Sequence, residues 1–217
     1  MGAAALEKIA GDHPASVRLK QATRAVHEQL HRTPLLAAFE RAELDIAGYV
    51  RVMHVFHEFY ASIDEPVEDA MPLLAAMPEP FKYVPRAPMF ARDLASLGVV
   101  LPSATMSRST RFAISSAAEL SGVLYVVEGS ILGGAGLNRC AGKILQHDDL
   151  AGRYYWLWCR ENAASRWSSV RRMLDSSWAM NAGEAEMLAA AGKTFDDLLQ
   201  RFESAAAGAC SLAGAGR

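Results

Sequence analysis

Gly122-Val-Leu-Tyr-Val-Val-Glu-Gly-Ser-Ile-Leu-Gly-Gly-Ala-Gly136 sets five glycines into an apolar stretch whose flanks read as one long helix. Each glycine in a helix interior costs roughly 0.5–1 kcal/mol relative to alanine, so a cluster of them points to a backbone that something must approach closely. Gly122, Gly129, Gly133 and Gly136 recur at three-, four- and seven-residue offsets, which gathers them near one helix face, with Tyr125 and Val126 between the first two. Two readings fit such a face. It is either a seat for a large flat ligand, over which a helix kinked at the Gly-Gly pair bends, or a small-residue contact with a neighbouring helix. The glycines alone leave both open.

Helical spacing continues on either side. Leu19, Ala22, Val26 and Leu30 repeat at helical intervals and predict a first helix over 16–36, with Pro14 and Ser16 suited to its start. Asp45 has the character of an N-cap for a second helix through Ile46, Val50, Met53, Phe56, Phe59 or Tyr60, and Ile63, ending before Pro72. Its wide apolar stripe predicts deep burial. Prolines at positions 72, 78, 80, 85, 88 and 102 leave space for only a short helix near 89–97, within a structured connector. A long helix carrying the glycines is expected over 105–146, followed by helices over 150–176 and 183–206. No strand pair and no internal repeat is evident, so the fold class is all-α, a single-domain helical bundle spanning 16–207. Residues 1–15 are expected to form a flexible N-terminus, and the small-residue tail 208–217 to be disordered.

Composition narrows the function classes. A chain of 217 residues with 51% hydrophobic content can bury a sizeable core in one domain. With 22 basic and 24 acidic residues, nothing in the overall charge invites nucleic acid or an anionic membrane. Cys140, Cys159 and Cys210 form no CxxC pair, which suits a reducing compartment better than a disulfide framework. The charged N-terminal stretch lacks the unbroken apolar core of a signal peptide, and no apolar run reaches the roughly 20 residues of a membrane span. A cytoplasmic protein is expected.

His27-Glu-Gln-Leu-His31 satisfies the H-E-x-x-H pattern of zinc proteases, but no longer signature of that class follows it. Glu28 and His31 also form an E-x-x-H pair of the kind that holds a di-iron centre in helical bundles, although no second such pair exists. A third reading needs only one imidazole. His27 would be the axial ligand of a heme sandwiched between the first helix and the glycine face, where backbone over the distal side leaves room for a diatomic ligand. Lys20, seven residues before His27 and about 10 Å away along the same helix face, is placed to pair with a heme propionate.

These residues carry a resemblance. Leu19-Lys-Gln-Ala-Thr-Arg-Ala-Val-His27-Glu-Gln-Leu, Tyr49-Val-Arg-Val-Met-His-Val-Phe-His-Glu-Phe-Tyr-Ala-Ser-Ile-Asp64 and Leu124-Tyr-Val-Val-Glu-Gly-Ser-Ile-Leu-Gly-Gly134 together resemble the heme oxygenase family, in its bacterial branch. The resemblance covers most of the chain and implies the helical bundle of that family. It also implies oxidative cleavage of heme, at once cofactor and substrate, at a meso carbon to biliverdin, ferrous iron and carbon monoxide. O2 and an electron donor such as ferredoxin or a flavoprotein reductase would be required, and a bilin-accepting photoreceptor is a further implied partner. His27 matches the iron ligand. Gly129 and Gly133 match the close-contact glycines with Gly134 beside them, and Lys20 and Tyr125 match propionate contacts. Arg166, Arg171 or Arg172 would complete the basic rim. Arg18, Lys20, Arg24 and Arg32 offer a face for an acidic reductase.

Two departures stand out. Ser130 occupies the position where mammalian-type members carry an aspartate that organises the distal water chain, and a hydroxyl is a poorer acceptor than a carboxylate. The aromatic-rich segment 154–167 replaces a stretch that tends to carry glycines, and is expected to narrow or reshape the propionate side. Both leave room for a non-enzymatic heme or bilin carrier on the same scaffold, and a non-heme di-iron oxidase on the same helical fold is a second alternative.

Overall fold

The structure, a computed structural model, describes residues 14–75, 81–101, 112–146, 150–179 and 183–214. Helix α1 (Ala15–His31) begins behind Pro14. It stops short of Pro34, whose ring keeps the preceding Thr33 out of the helical region, at φ −60° and ψ 135°. The expected run over 16–36 is therefore broken, and α2 (Pro34–Glu40) follows as a separate helix. Ala15, assigned by sequence to the flexible terminus, is buried, and its amide donates to Asp175 at 3.1 Å.

Asp45 caps α3 (Ile46–Ala70) as expected, its carboxylate accepting from the Gly48 amide at 2.6 Å. A 3-10 turn (Met71–Leu74) containing Pro72 ends it. The proline-rich connector yields the short helix α4 (Ala87–Ser96), close to the predicted one. The glycine stretch forms two helices instead of one: α5 (Ala117–Gly129), behind the Ser116 hydroxyl that accepts from Glu119, and α6 (Ile131–Leu145). The division falls at Ser130. Its carbonyl receives the Gly133 amide only three residues on, at 3.2 Å, a tight turn in a stretch where glycine weakens the helix. The first part of the expected long helix, 105–111, lies outside the described residues.

Helices α7 (Tyr154–Ala179) and α8 (Glu184–Gly214) complete the bundle. α8 continues to Gly214, through most of the tail that composition marked as disordered, because its alanines favour helix. Among the described residues there is no strand, and no single helix is long and apolar enough to cross a membrane.

Two buried aspartates tie successive helices together end to side. Asp64 on α3 accepts from the amides of Arg86 and Ala87 at the start of α4, and from the Tyr83 hydroxyl. Asp93 on α4 accepts from the amides of Tyr154 (2.7 Å) and Tyr155 (2.9 Å) at the start of α7. Each carboxylate satisfies helix-start donors that have no partner within their own helix. Around them lies an aromatic core. Phe90 packs on Tyr155 at 4.2 Å between centroids, and Phe56, Phe202 and Trp156 close around it. Two aromatics of this segment of α7, Tyr155 and Trp156, thus serve the core, whereas Tyr154, Trp158 and Trp167 are half-buried. Tyr155 and Trp156 are each only 2% exposed and are not available to shape a ligand site.

Candidate functional site

Helix α8 serves as a common ruler for the elements around the predicted site. On one side α1 runs parallel to it, with Arg18 paired to Glu184 and the His27 ring edge-on to Phe195 at 5.5 Å. On the other side α5 runs in the same direction. A side-chain carbon built at Gly183 would touch Ala118, and one at Gly122 would stand 2.2 Å from the Met187 carbonyl oxygen. Gly122 is therefore a helix contact, the second of the two readings. At the level of His27, α5 has reached the glycines near its C-terminal end. The Tyr125 hydroxyl faces Thr23, one turn before His27, in keeping with this register.

The remaining glycines divide by environment. At Gly133 and Gly136 a side chain would meet nothing within 4 Å, so both present open backbone. At Gly129 it would meet the Trp167 ring at 3.4 Å. Gly134 faces the other way: a side-chain carbon there would lie 2.4 Å from Cys159 Cβ, so this glycine is accounted for by close packing of α6 on α7.

His27 is exposed on α1 and linked to two neighbours. Its Nε2 lies 3.3 Å from His31 Nε2, and His31 Nδ1 lies 2.5 Å from Glu40. Partial loss of solvent, and after it the adjacent His31, hold the His27 pKa below the usual histidine value. The imidazole is thus neutral at neutral pH, the form that binds a metal. Glu28 is engaged elsewhere, between Arg24 at 2.7 Å and Arg32 at 3.5 Å. Among the described residues no three histidine, cysteine or acidic side chains gather as a metal-binding group, which leaves the zinc and di-iron readings without a site.

Ser130 is exposed at the division between α5 and α6 and carries a partner that the sequence did not reveal. Its hydroxyl donates to the Val127 carbonyl at 2.9 Å and lies 2.9 Å from the Tyr60 hydroxyl. With the serine proton committed, Tyr60 is the donor between them. Burial pushes the Tyr60 pKa up to about 12, keeping that proton in place. Tyr155 stands behind it at 3.4 Å. Tyr60 was legible only as one of two alternative positions on an apolar stripe.

The basic residues also sort themselves. Arg166 grips the buried Glu128 carboxylate through two contacts of 2.7 Å, and Arg86, fully buried, pairs with the same carboxylate. Arg166 is thereby withdrawn from the rim. Arg171 and Arg172 are exposed on α7, which runs antiparallel to α1 from the Ala15–Asp175 contact onward, so Arg171 comes level with exposed Lys20. Of the proposed reductase face, Arg18, Arg24 and Arg32 are paired with Glu184 or Glu28.

The family model for heme oxygenase matches residues 13–204, nearly the whole chain. The chain belongs to the heme oxygenase family. A heme oxygenase of Xanthomonas campestris pv. campestris (strain 8004) is 26% identical over 165 residues, covering 74% of this chain and 92% of that one. Among solved structures, heme oxygenase from Leptospira interrogans has a TM-score of 0.74 at 18% identity, over 88% of this chain and 100% of that one. The NO- and CO-bound heme oxygenase from Neisseria meningitidis has a TM-score of 0.66 at 23% identity, over 88% and 92%. These likenesses establish the all-α heme oxygenase fold, and membership of the family makes the protein a heme-degrading enzyme. A neutral imidazole, open backbone on the glycine helices and a lysine on the same face of α1 are a set of groups that fits a heme.

Proposed function

We propose that this heme oxygenase opens heme at one meso carbon to give biliverdin, ferrous iron and carbon monoxide. The observation that carries the reading is the shared level, along α8, of a neutral imidazole at His27 and the glycine-bearing C-terminal end of α5, with the open backbone of Gly133 just beyond it. Bound heme supplies the iron that handles oxygen and electrons and the ring that is consumed. In this reading His27 binds the iron. Lys20, Tyr125 and Arg171 orient the propionates, which are anionic and seek the cationic edge of the cleft.

Gly129 and Gly133 would let the backbone stand close to a bound heme, Gly133 with open space before it and Gly129 beside the Trp167 ring, and Gly134 lets α6 pack tightly enough on α7 to hold it there. Ser130, with its proton given to Val127 and a proton received from Tyr60, keeps a lone pair directed outward that can hold a water. This hydroxyl pair stands in for the absent aspartate. O2, electrons from a ferredoxin or flavoprotein reductase, and a cytoplasmic setting complete the proposal. A bilin-accepting photoreceptor would take the product.

The test is an absorption titration with hemin followed by reductant in air. Stoichiometric binding, then loss of the heme band with growth of a bilin spectrum, is expected. Stable binding without bilin would turn the assignment to a heme carrier. His27→Ala should lose the histidine-ligated spectrum and most turnover, and a full-strength histidine-ligated band in that variant would refute the role of His27.

A further inference from the structure

We infer that Trp167 sets how the heme is rotated about the His27 axis and so which meso carbon is cleaved. The inference rests on the heme-binding reading above. Trp167 is half-buried on α7 and lies against Gly129, at one end of the glycine face. Its Cζ3 and Cη2 atoms lie 3.4 and 3.8 Å from the side-chain position of Gly129. Its ring centroid is 5.8 Å from that of Tyr125, at an interplanar angle of 56°. Tyr125 in turn faces Thr23 on α1. The indole, packed between Gly129 and Tyr125, thus walls one edge of the glycine face, while Gly133 and Gly136 remain uncovered.

That wall makes the edges of a four-sided ring inequivalent. Two anionic arms drawn toward Lys20 and Arg171 meet the indole at the same end of the cleft, because α7 and α1 run antiparallel there. The arms must pass to one side of it, and the side chosen fixes the angle of the ring beneath Gly133 and Ser130. The other aromatics of segment 154–167 are engaged elsewhere, Tyr154 beneath the Arg92 guanidinium at 3.9 Å. Tyr155 and Trp156 are in the core, and Trp158 lies over the buried Arg86.

The test compares wild type with Trp167→Ala and Trp167→Phe as hemin complexes. Proton NMR of the cyanide-ligated ferric form reads the rotational seating from its heme-methyl resonances, and chromatography reads the bilin isomers after turnover. Wild type should show one dominant methyl set and one dominant isomer. Trp167→Ala should show a second set and a second isomer in matching proportion, with Trp167→Phe intermediate. An unchanged single set and isomer in Trp167→Ala would overturn the inference, as would a wild type already divided between seatings. If Trp167→Ala fails to bind hemin, Trp167→Phe decides, and an unshifted pattern there overturns it as well. Failure of wild type to give a histidine-ligated band would instead overturn the heme-binding reading.

Discussion

At Gly122 a methyl group would stand 2.2 Å from the Met187 carbonyl oxygen, whereas at Gly133 it would meet nothing within 4 Å. Gly122→Val should therefore force α5 and α8 apart and cost on the order of 1–3 kcal/mol, read as a lowered denaturant midpoint. Gly133→Leu should leave that midpoint nearly unchanged, yet weaken carbon monoxide binding to the reduced heme complex more than hemin binding itself. Equal losses of stability in the two variants would mean that both glycines are packing residues. Periodicity correctly gathered these glycines as a group, but it could not separate them. Whether a glycine faces a helix or an open cleft is decided by α8, which lies far along the chain. Trp167 posed the same difficulty: its segment was legible as unusual, but which of its aromatics enter the core depends on Phe90 and Phe56.

Helix starts carry the next level of organisation. Asp93 accepts both of the first amides of α7, and burial outweighs those bonds, raising its pKa to about 6. In an unfolded chain an aspartate titrates near ~3.9. Between about pH 4 and pH 6 the folded state thus binds more protons than the unfolded one, so the contribution of Asp93 to stability falls as pH rises through that window. Asp93→Asn should flatten this part of the profile, as followed by thermal midpoints across the same range; an unaltered slope would show that Asp93 does not titrate there. Asp93→Ala should cost about 1–3 kcal/mol for each amide left unsatisfied. Helices were legible wherever apolar spacing or a local cap marked them, as at Asp45. The break before Pro34, the division at Ser130 and the caps from Asp64 and Asp93 were not. These caps join residues 22 to 62 positions apart, beyond the reach of any local pattern.

Across the whole molecule, Glu128 binds α5 to both α4 and α7, facing Arg86 on one side and Arg166 on the other. Both Glu128 and Arg86 are 0% exposed, so Glu128→Ala strands a buried cation. A loss of about 3–5 kcal/mol is expected in equilibrium unfolding, and a loss below 1 kcal/mol would show that water or another acceptor takes over. Family resemblance made the bundle legible, and His27 and Lys20 stood out as local signals on one helix face. The Glu128 cluster and the Tyr60–Ser130 pair were hidden because their members meet only once the bundle has closed. The capping aspartates have a further consequence. Asp64 holds the start of α4, and α4, through Asp93, holds the start of α7. Hydrogens on the Tyr154 and Tyr155 amides can thus exchange with solvent only as often as α4 lifts away, which makes this ten-residue helix the latch for the cleft wall that carries Trp167.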